Sequence, residues 1–253
     1  MKQIRLTKLS FGLRQKGGRT KFGPITSPRR GALVKKLYRF LDTKRSIATN
    51  TQGAIIIQHY LYDPNRSGLI SLVSTLNAIV TYILAADYPK GQKKIYNLYK
   101  LKKKETMKKE KGWSNFIKNF ALGTMLYNVE FFPGKGGQIA RAAGNFAVLL
   151  RKEKKIKKRA IVKLRSGILR KISQNTIASI GVTSNHKYFL RNYKKAGTIR
   201  RYGIRPRVRP SMMNPVDHPM GGRTRGGCAP QNKNGLLSHG KKKIKNMKLT
   251  VKF

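Results

Sequence analysis

Two nearly uncharged blocks set in a strongly basic chain constrain this fold more than any other feature. Residues 47–89 hold one cation, Arg66, against Asp63 and Asp87, and residues 119–150 hold only Glu130, Lys135 and Arg141. The surrounding chain is the opposite. Residues 1–46 carry 14 Lys and Arg against Asp42, and residues 90–118 contain the run KGQKKIYNLYKLKKKETMKKEKG. Residues 151–171 form a Lys/Arg run with Glu153 as its one acid, and residues 194–253 set 16 bases against Asp217. Unpaired charge is costly to bury, so the neutral blocks are expected to supply two small cores while the basic segments stay outside them.

Within and beside those blocks the apolar stretches are short and rich in Ile, Val, Tyr and Phe. Residues 54–62, 68–73, 79–86, 124–132, 160–164 and 177–182 read as strands. Turn signals separate them: Asp63-Pro64-Asn65, Pro133-Gly134, Gly136-Gly137 and Ser166-Gly167. The pattern predicts a mainly β chain, two small barrels or sandwiches, with a hairpin turn at Thr75-Leu76-Asn77. Residues 90–118 alone read as helical, on the loose spacing of Ile95, Leu98, Tyr99 and Leu101. The uncharged stretch Gly68–Ala86 is long enough to span a bilayer, but Ser71, Ser74, Thr75, Asn77 and Thr81 interrupt it, so two strands are the better reading and no membrane span is expected.

Charge then selects the partner. With 57 Lys and Arg against 8 Asp and Glu, the formal net charge is +49 over 253 residues. Self-repulsion of that size opposes a compact state unless a polyanion neutralises it. Nucleic acid fits, since each phosphate neutralised by Lys or Arg releases condensed counterions; a membrane surface would also need an amphipathic or spanning segment. The single cysteine, Cys228, leaves neither a disulfide framework nor a CxxC pair. The basic N-terminus has no secretory apolar stretch and reads as mature protein.

Catalysis has little to stand on. The acids are scattered, there is no nucleophile elbow, and His59, His186, His218 and His239 lie far apart without metal-ligand spacing. No metal, cofactor or small-molecule substrate is expected. Gly134-Lys135-Gly136-Gly137 lacks the spacing of a nucleotide-binding loop; it reads either as a tight turn offering Lys135 and backbone amides to a phosphate, or as a turn with no ligand. Arg66, alone in its block and on a turn, is a candidate phosphate contact. The region from Lys194, with GIRPRVRPSMMNPVDHPMGGRTRGG, has too little apolar periodicity for a core. It reads, like the N-terminal segment, as an irregular extension ordered against RNA.

These residues also carry a family resemblance. Tyr62-Asp63-Pro64-Asn65-Arg66-Ser67, Tyr82-Ile83-Leu84-Ala85 and the continuous stretch from Val129 to Gly144, VEFFPGKGGQIARAAG, resemble signatures of the universal large-subunit ribosomal protein L-two family. Lys194-Lys195-Ala196-Gly197, Gly203-Ile204-Arg205-Pro206-Arg207-Val208-Arg209 and Met213-Asn214-Pro215-Val216-Asp217-His218-Pro219 extend the resemblance, which runs from about Gly12 to Gly227. It implies an OB-like barrel followed by a Src-homology-3-like barrel, with long basic irregular extensions at both ends. The expected division is residues 1–46, an OB-like domain at 47–122 with a basic insertion at 90–118, a second barrel at 123–193, and an extension at 194–253.

The resemblance further implies rRNA contacts through Arg19, Arg29, Arg30, Arg66, Lys135, Arg141, Lys194, Lys195, Arg205, Arg207, Arg209, Arg223 and Arg225. Asn214, Pro215, Asp217, His218, Gly221 and Gly222 are expected near the peptidyl-transferase centre. Expected partners are large-subunit rRNA, neighbouring ribosomal proteins and the small subunit, with magnesium present only as RNA-bound ions. Two departures stand out: Met220 occupies a position where the family has a second histidine, and Arg223-Thr224-Arg225 replaces an acidic glycine run. Residues 90–122 do not follow the family pattern. Abundant Lys, Ile, Asn and Tyr suggest an organelle-encoded copy, in a mitochondrion rather than a plastid or a bacterium. A general RNA chaperone or packing protein is the rival reading, and an RNA-modifying enzyme a third.

Overall fold

The computed structural model describes residues 9–31, 34–45, 54–74, 79–88, 94–96, 110–153, 158–222 and 229–238. The chain divides into two units, one of Met1–Leu13, Lys36–Asn192 and Thr250–Phe253, the other of Arg14–Lys35 and Tyr193–Leu249. The first is built almost wholly of antiparallel strands, and the fold is mainly β with OB-like and Src-homology-3-like barrels, as the sequence implies.

In the first barrel, β1 (Ser10–Leu13) and β2 (Lys36–Arg39) form a two-stranded ribbon. β3 (Ala54–Leu61), β4 (Ile70–Ser74), β5 (Val80–Leu84) and β6 (Lys94–Tyr96) form a sheet in the order β5-β4-β3-β6. The apolar run of β4 follows from its position between two apolar clusters. Alternate side chains of a strand point to opposite faces: Ile70 and Leu72 join Tyr82 with Leu9, Leu41 and Leu61, whereas Val73 and Ile83 enter a larger cluster. With both faces covered, no polar alternation is needed. Pairing of Ser74 with Val80 makes β4 and β5 antiparallel neighbours; the expected turn Thr75–Asn77 lies outside the described residues.

The second barrel contains β7 (Ser114–Phe116), β8 (Met125–Tyr127), β11 (Ala147–Lys152), β12 (Arg159–Leu164), β13 (Leu169–Ser173) and β14 (Ile177–Ile180), ordered β13-β12-β11-β8-β14-β7. A hairpin of β9 (Val129–Glu130) and β10 (Gly137–Ile139) is attached. The two sheets share a core: Ile57, Val73, Ile83 and Ile95 cluster with Trp113, Ile117, Leu126, Leu149 and Val162. A backbone bridge between Ala86 and Thr183 and a hydrogen bond from the Ala143 amide to Ser67 Oγ (3.0 Å) reinforce that junction.

Three expectations are corrected. The helix read across residues 90–118 is not formed where the segment is described: Lys94–Tyr96 pairs with β3, and Ser114–Phe116 pairs with β14. Ile95, on β6, and Ile117, in the 3-10 turn that follows β7, both sit in the shared core, so the segment does not run as one helix; Leu98, Tyr99 and Leu101 lie outside the described residues. The strand read over 124–132 breaks at Asn128, which takes φ of 50° and separates β8 from β9. Strands β1, β2, β6, β7, β10, β11 and β13 were not foreseen, because basic residues or short length disguise them.

The second unit is differently made. It holds a short helix α1 (Ala196–Arg201), a 3-10 turn at Pro210–Met212 and isolated bridges, including Arg30 with Ile204. Among its described residues only His218 and Gly221 are buried. The N-terminal and C-terminal extensions meet here: the Gly31 amide donates to Gly203 O (2.7 Å), and the Arg205 amide donates to Arg29 O (2.8 Å). Gly203 adopts φ of +85°, and a Cβ there would lie 2.9 Å from Gly31 O, so the crossing demands glycine.

Candidate nucleic-acid interface

The basic side chains sort into those held by the protein and those left facing solvent. Arg66 belongs to the first group. Asp63, fully buried, takes Arg66 Nε at 2.5 Å and Arg39 Nη1 at 3.4 Å, and also accepts from the Asn65 backbone and side-chain amides. Asn65 in turn donates to Leu37 O at 2.6 Å. The Asp-Pro-Asn-Arg loop is therefore a clamp between the end of β3 and strand β2. Two guanidinium groups against one carboxylate leave a net positive triad, but Arg66 is not the lone solvated cation that its sequence setting suggests.

The glycine loop between β9 and β10 is likewise held from within the protein. Glu130, 1% exposed, turns its carboxylate back into the loop, accepting from the amides of Gly134 (3.3 Å), Gly136 (3.0 Å) and Ile177 (3.0 Å). The Gly137 amide donates to Thr43 O and the Lys135 amide to Phe132 O. No amide of Gly134–Gly137 is left to cradle a phosphate, because a carboxylate of the protein already occupies that role. Lys135 remains exposed, its ammonium 5.5 Å from the centre of the Phe132 ring. Gly137 has no room for a side chain: a Cβ would lie 2.1 Å from Asn128 Oδ1.

The other expected cations are placed as follows. Arg19, Arg29, Arg30, Arg141, Lys194, Lys195, Arg205, Arg207 and Arg209 are all exposed. Arg19 Nη1 donates to Gly23 O (3.2 Å) and Arg141 Nη1 to Gly137 O (3.1 Å), contacts that each leave most of the guanidinium donors outward. The joint of the second unit brings Arg29 and Arg30 beside Arg205, residues far apart in sequence. Arg223 and Arg225 lie outside the described residues.

Asn214–Gly222 is a compact loop. The Asp217 amide donates to Asn214 O (3.0 Å), the Gly221 amide to His218 O (2.9 Å) and the Gly222 amide to Met213 O (3.0 Å). His218 is 6% exposed and its Nδ1 accepts the Met220 amide at 3.1 Å; that bond assigns the ring proton to Nε2. The imidazole thus organises its own loop, while Asn214, Pro215, Asp217 and Gly222 face outward and Gly221 is buried. A Cβ on Gly221 would lie 2.3 Å from Asn214 O.

Three residues escaped the sequence reading: Asp63 as an ion-pair hub, Glu130 as an internal loop anchor, and Arg45. Arg45 is 1% exposed and donates to the Tyr127 hydroxyl at 3.3 Å. Close by, burial pushes the Tyr88 hydroxyl well above the ordinary tyrosine range, with Tyr127 adding to the rise and Arg45 opposing it. The signal for the acids was their rarity: a carboxylate inside a neutral block has few reasons to be there except an internal partner.

Comparison with known proteins decides what this arrangement belongs to. The family described as Ribosomal Proteins L2, RNA binding N-terminal domain, matches residues 6–97, and Ribosomal Proteins L2, C-terminal domain, matches residues 110–247. The chain belongs to the ribosomal protein L2 family. The large ribosomal subunit protein uL2 of Buchnera aphidicola subsp. Cinara cedri is 42% identical over 94% of this chain and 83% of its own length. Its counterparts from Wigglesworthia glossinidia brevipalpis (40%) and Karelsulcia muelleri (41%) each align over 97% of this chain, and over 86% and 87% of their own. Within the matched ranges, the Asp63 clamp and the Glu130 anchor hold the 63–66 and 134–137 loops in shape. Among the described residues no helix is long and apolar enough to cross a membrane.

Proposed function

We propose that this protein is a structural constituent of the large ribosomal subunit, that it binds large-subunit rRNA and neighbouring ribosomal proteins, and that it is not an enzyme. The observation that carries the reading is the L2 family match to both barrels and most of both extensions, on a chain of net charge +49. Arg19, Arg29, Arg30, Lys135, Arg141, Lys194, Lys195, Arg205, Arg207 and Arg209, with Arg223 and Arg225, are the proposed phosphate contacts; Arg66 contributes through its clamped triad. Counterion release makes such binding additive over many cations and steeply dependent on salt.

The finer part of the proposal concerns Asn214–Gly222. This loop lies near the peptidyl-transferase centre, where its rigid turn supports RNA architecture and tRNA placement while peptide-bond chemistry remains with the RNA; subunit association is a further proposed role. The preorganised loop, held by His218 and by glycines that admit no side chain, supports a positioning role. No cofactor is assigned beyond magnesium ions carried by the RNA. The proposed compartment is a mitochondrion, on the abundance of Lys, Ile, Asn and Tyr; the bacterial relatives favour a bacterial cytoplasm as the second reading.

Sedimenting a native lysate through a sucrose gradient with magnesium, and probing fractions for the protein and for large-subunit rRNA, tests the reading. Coincidence with the large subunit and the monosome is expected. A broad distribution independent of rRNA overturns it and favours an RNA chaperone. Fractionating organelles from the same cells separates the two compartments.

A further inference from the structure

The ribbon of β1 and β2 leaves three aromatic rings together on one face. Phe11 and Tyr38 are direct cross-strand partners, and Phe40 follows Tyr38 by two residues, so all three project to the same side. Their ring centres lie 5.4 Å (Phe11–Tyr38), 5.2 Å (Phe11–Phe40) and 5.9 Å (Tyr38–Phe40) apart. Core aromatics would be covered, yet Phe11 is 44% exposed and Phe40 54% exposed. Arg39, between Tyr38 and Phe40, points the other way to Asp63 and ties the ribbon down.

Phe40 is also a wall of a cleft of about 340 Å³, whose lining is Leu9, Leu41, Asp42, Thr43, Lys44 and Thr81 besides Phe40 itself. That volume is at the small end of ligand-sized cavities. Its lining joins the aliphatic Leu9 and Leu41 to a carboxylate, an exposed ammonium and the hydroxyls of Thr43 and the buried Thr81. An exposed aromatic ring beside aliphatic and hydrogen-bonding side chains is the environment that an unpaired nucleobase meets when it stacks on a side chain and offers its edge to polar groups.

We infer that the Phe11–Tyr38–Phe40 face and the adjoining cleft form a binding site for an unpaired RNA base, stacked on Phe40 with its edge directed at Asp42, Thr43 and Thr81. Charge complementarity selects RNA as the occupant: Lys44 stands at the rim for the attached phosphate, in a chain whose bases outnumber its acids 57 to 8. The inference rests on the rRNA-binding reading and adds to it a mode of contact that phosphate neutralisation does not supply. Phosphates position RNA; stacking on this face distinguishes single-stranded RNA from duplex.

The test compares full-length wild-type protein with Phe11→Leu/Phe40→Leu, which keeps apolar bulk and removes the stacking faces, and with Phe11→Tyr/Phe40→Tyr, which keeps them. Fluorescence anisotropy, at a salt concentration that suppresses phosphate contacts, reads binding to a short oligoadenylate and to an abasic oligomer of equal length. Wild type and the Tyr variant are expected to prefer the oligoadenylate by roughly tenfold, the scale of one base stack. The Leu variant is expected to lose that preference while keeping its affinity for the abasic oligomer.

Absence of a preference in wild type, or its survival in the Leu variant, overturns the inference. Short-wave ultraviolet crosslinking of native large subunits supplies an independent readout. A nucleotide adduct on the peptides carrying Phe11 or Phe40 supports the site, and a crosslink there to another ribosomal protein overturns it. Failure of the wild-type protein to sediment with the large subunit refutes the ribosomal reading instead, and leaves the anisotropy result to judge the base site alone.

Discussion

The two units of this chain solve the same problem, a large excess of positive charge, in opposite ways. The first buries an extensive apolar core across two sheets and places Asp63 and Glu130 inside it, where they hold arginines and backbone amides. The second has two buried residues among those described, His218 and Gly221, and is held by backbone hydrogen bonds where glycines let the chain cross itself. Burial of apolar area stabilises a fold whatever surrounds it, whereas exposed hydrogen bonds contribute little net stability in water. The first unit is therefore held by its own apolar core, and the second mainly by exposed hydrogen bonds.

The comparison breaks most visibly at Glu130. Glu130→Ala strips acceptors from three amides at once, and urea unfolding is expected to show a loss of about 3 kcal/mol or more, since each unsatisfied buried donor costs about 1–3 kcal/mol. Asp63→Ala leaves Arg39 and Arg66 facing each other without their counterion. A loss of about 3 kcal/mol is expected, at the lower end for a broken buried pair because both arginines keep partial solvent access. If either variant unfolded at wild-type denaturant concentration, the acids would be ornaments on an apolar core rather than part of its framework.

In the second unit the effects should be local. Gly203→Ala pays for an unfavourable positive φ, about 1 kcal/mol, and for collision with Gly31 O. Faster tryptic cleavage around Arg29, Arg30 and Arg205 is expected, with the main thermal transition unmoved; a lowered main transition would show that the units are not separately held together.

Alkaline titration sharpens the contrast from the core side. The raised Tyr88 hydroxyl stays protonated in the folded state after unfolded tyrosine begins to ionise near pH 10. Stability is therefore full below that pH and lost as pH rises from there toward the folded value. Tyr88→Phe should flatten this part of the melting-temperature profile relative to wild type, and an unchanged slope would refute the assignment. The smallest effect is expected for His218→Ala: quantitative mass spectrometry of purified large subunits should find the protein close to wild-type abundance, because one imidazole is minor beside many phosphate contacts. Loss from the subunits would make the loop an assembly determinant.

Much of this architecture was legible in the sequence because apolar runs and charge segregation are local signals. The strands around Ile70–Ser74 and Val80–Leu84 announce themselves by lacking charge, and Asp63-Pro64-Asn65 announces its turn. What escaped was relational. β13 sets Arg170 and Lys171 side by side, one on each face of the strand, which hides it inside a Lys/Arg run. Ile95 and Ile117 lie in one stretch of sequence but reach the core separately, Ile95 from β6 and Ile117 from the 3-10 turn after β7. The amides of the glycine loop looked available because no local pattern reveals that Glu130 turns back upon them. Nor could either extension, read alone, disclose that Gly31 and Gly203 cross.

That crossing has a consequence for how the protein is made. Gly31 precedes most of the strands of both barrels in the chain, while Gly203 and Arg205 follow only after both barrels have been synthesised. Barrels folding in order of synthesis would leave the segment around Gly31 without its backbone partners until Gly203 and Arg205 emerge. Completion of the C-terminal segment is then the event that closes it, so a truncated nascent chain carries a finished core and an N-terminal arm still without its seam.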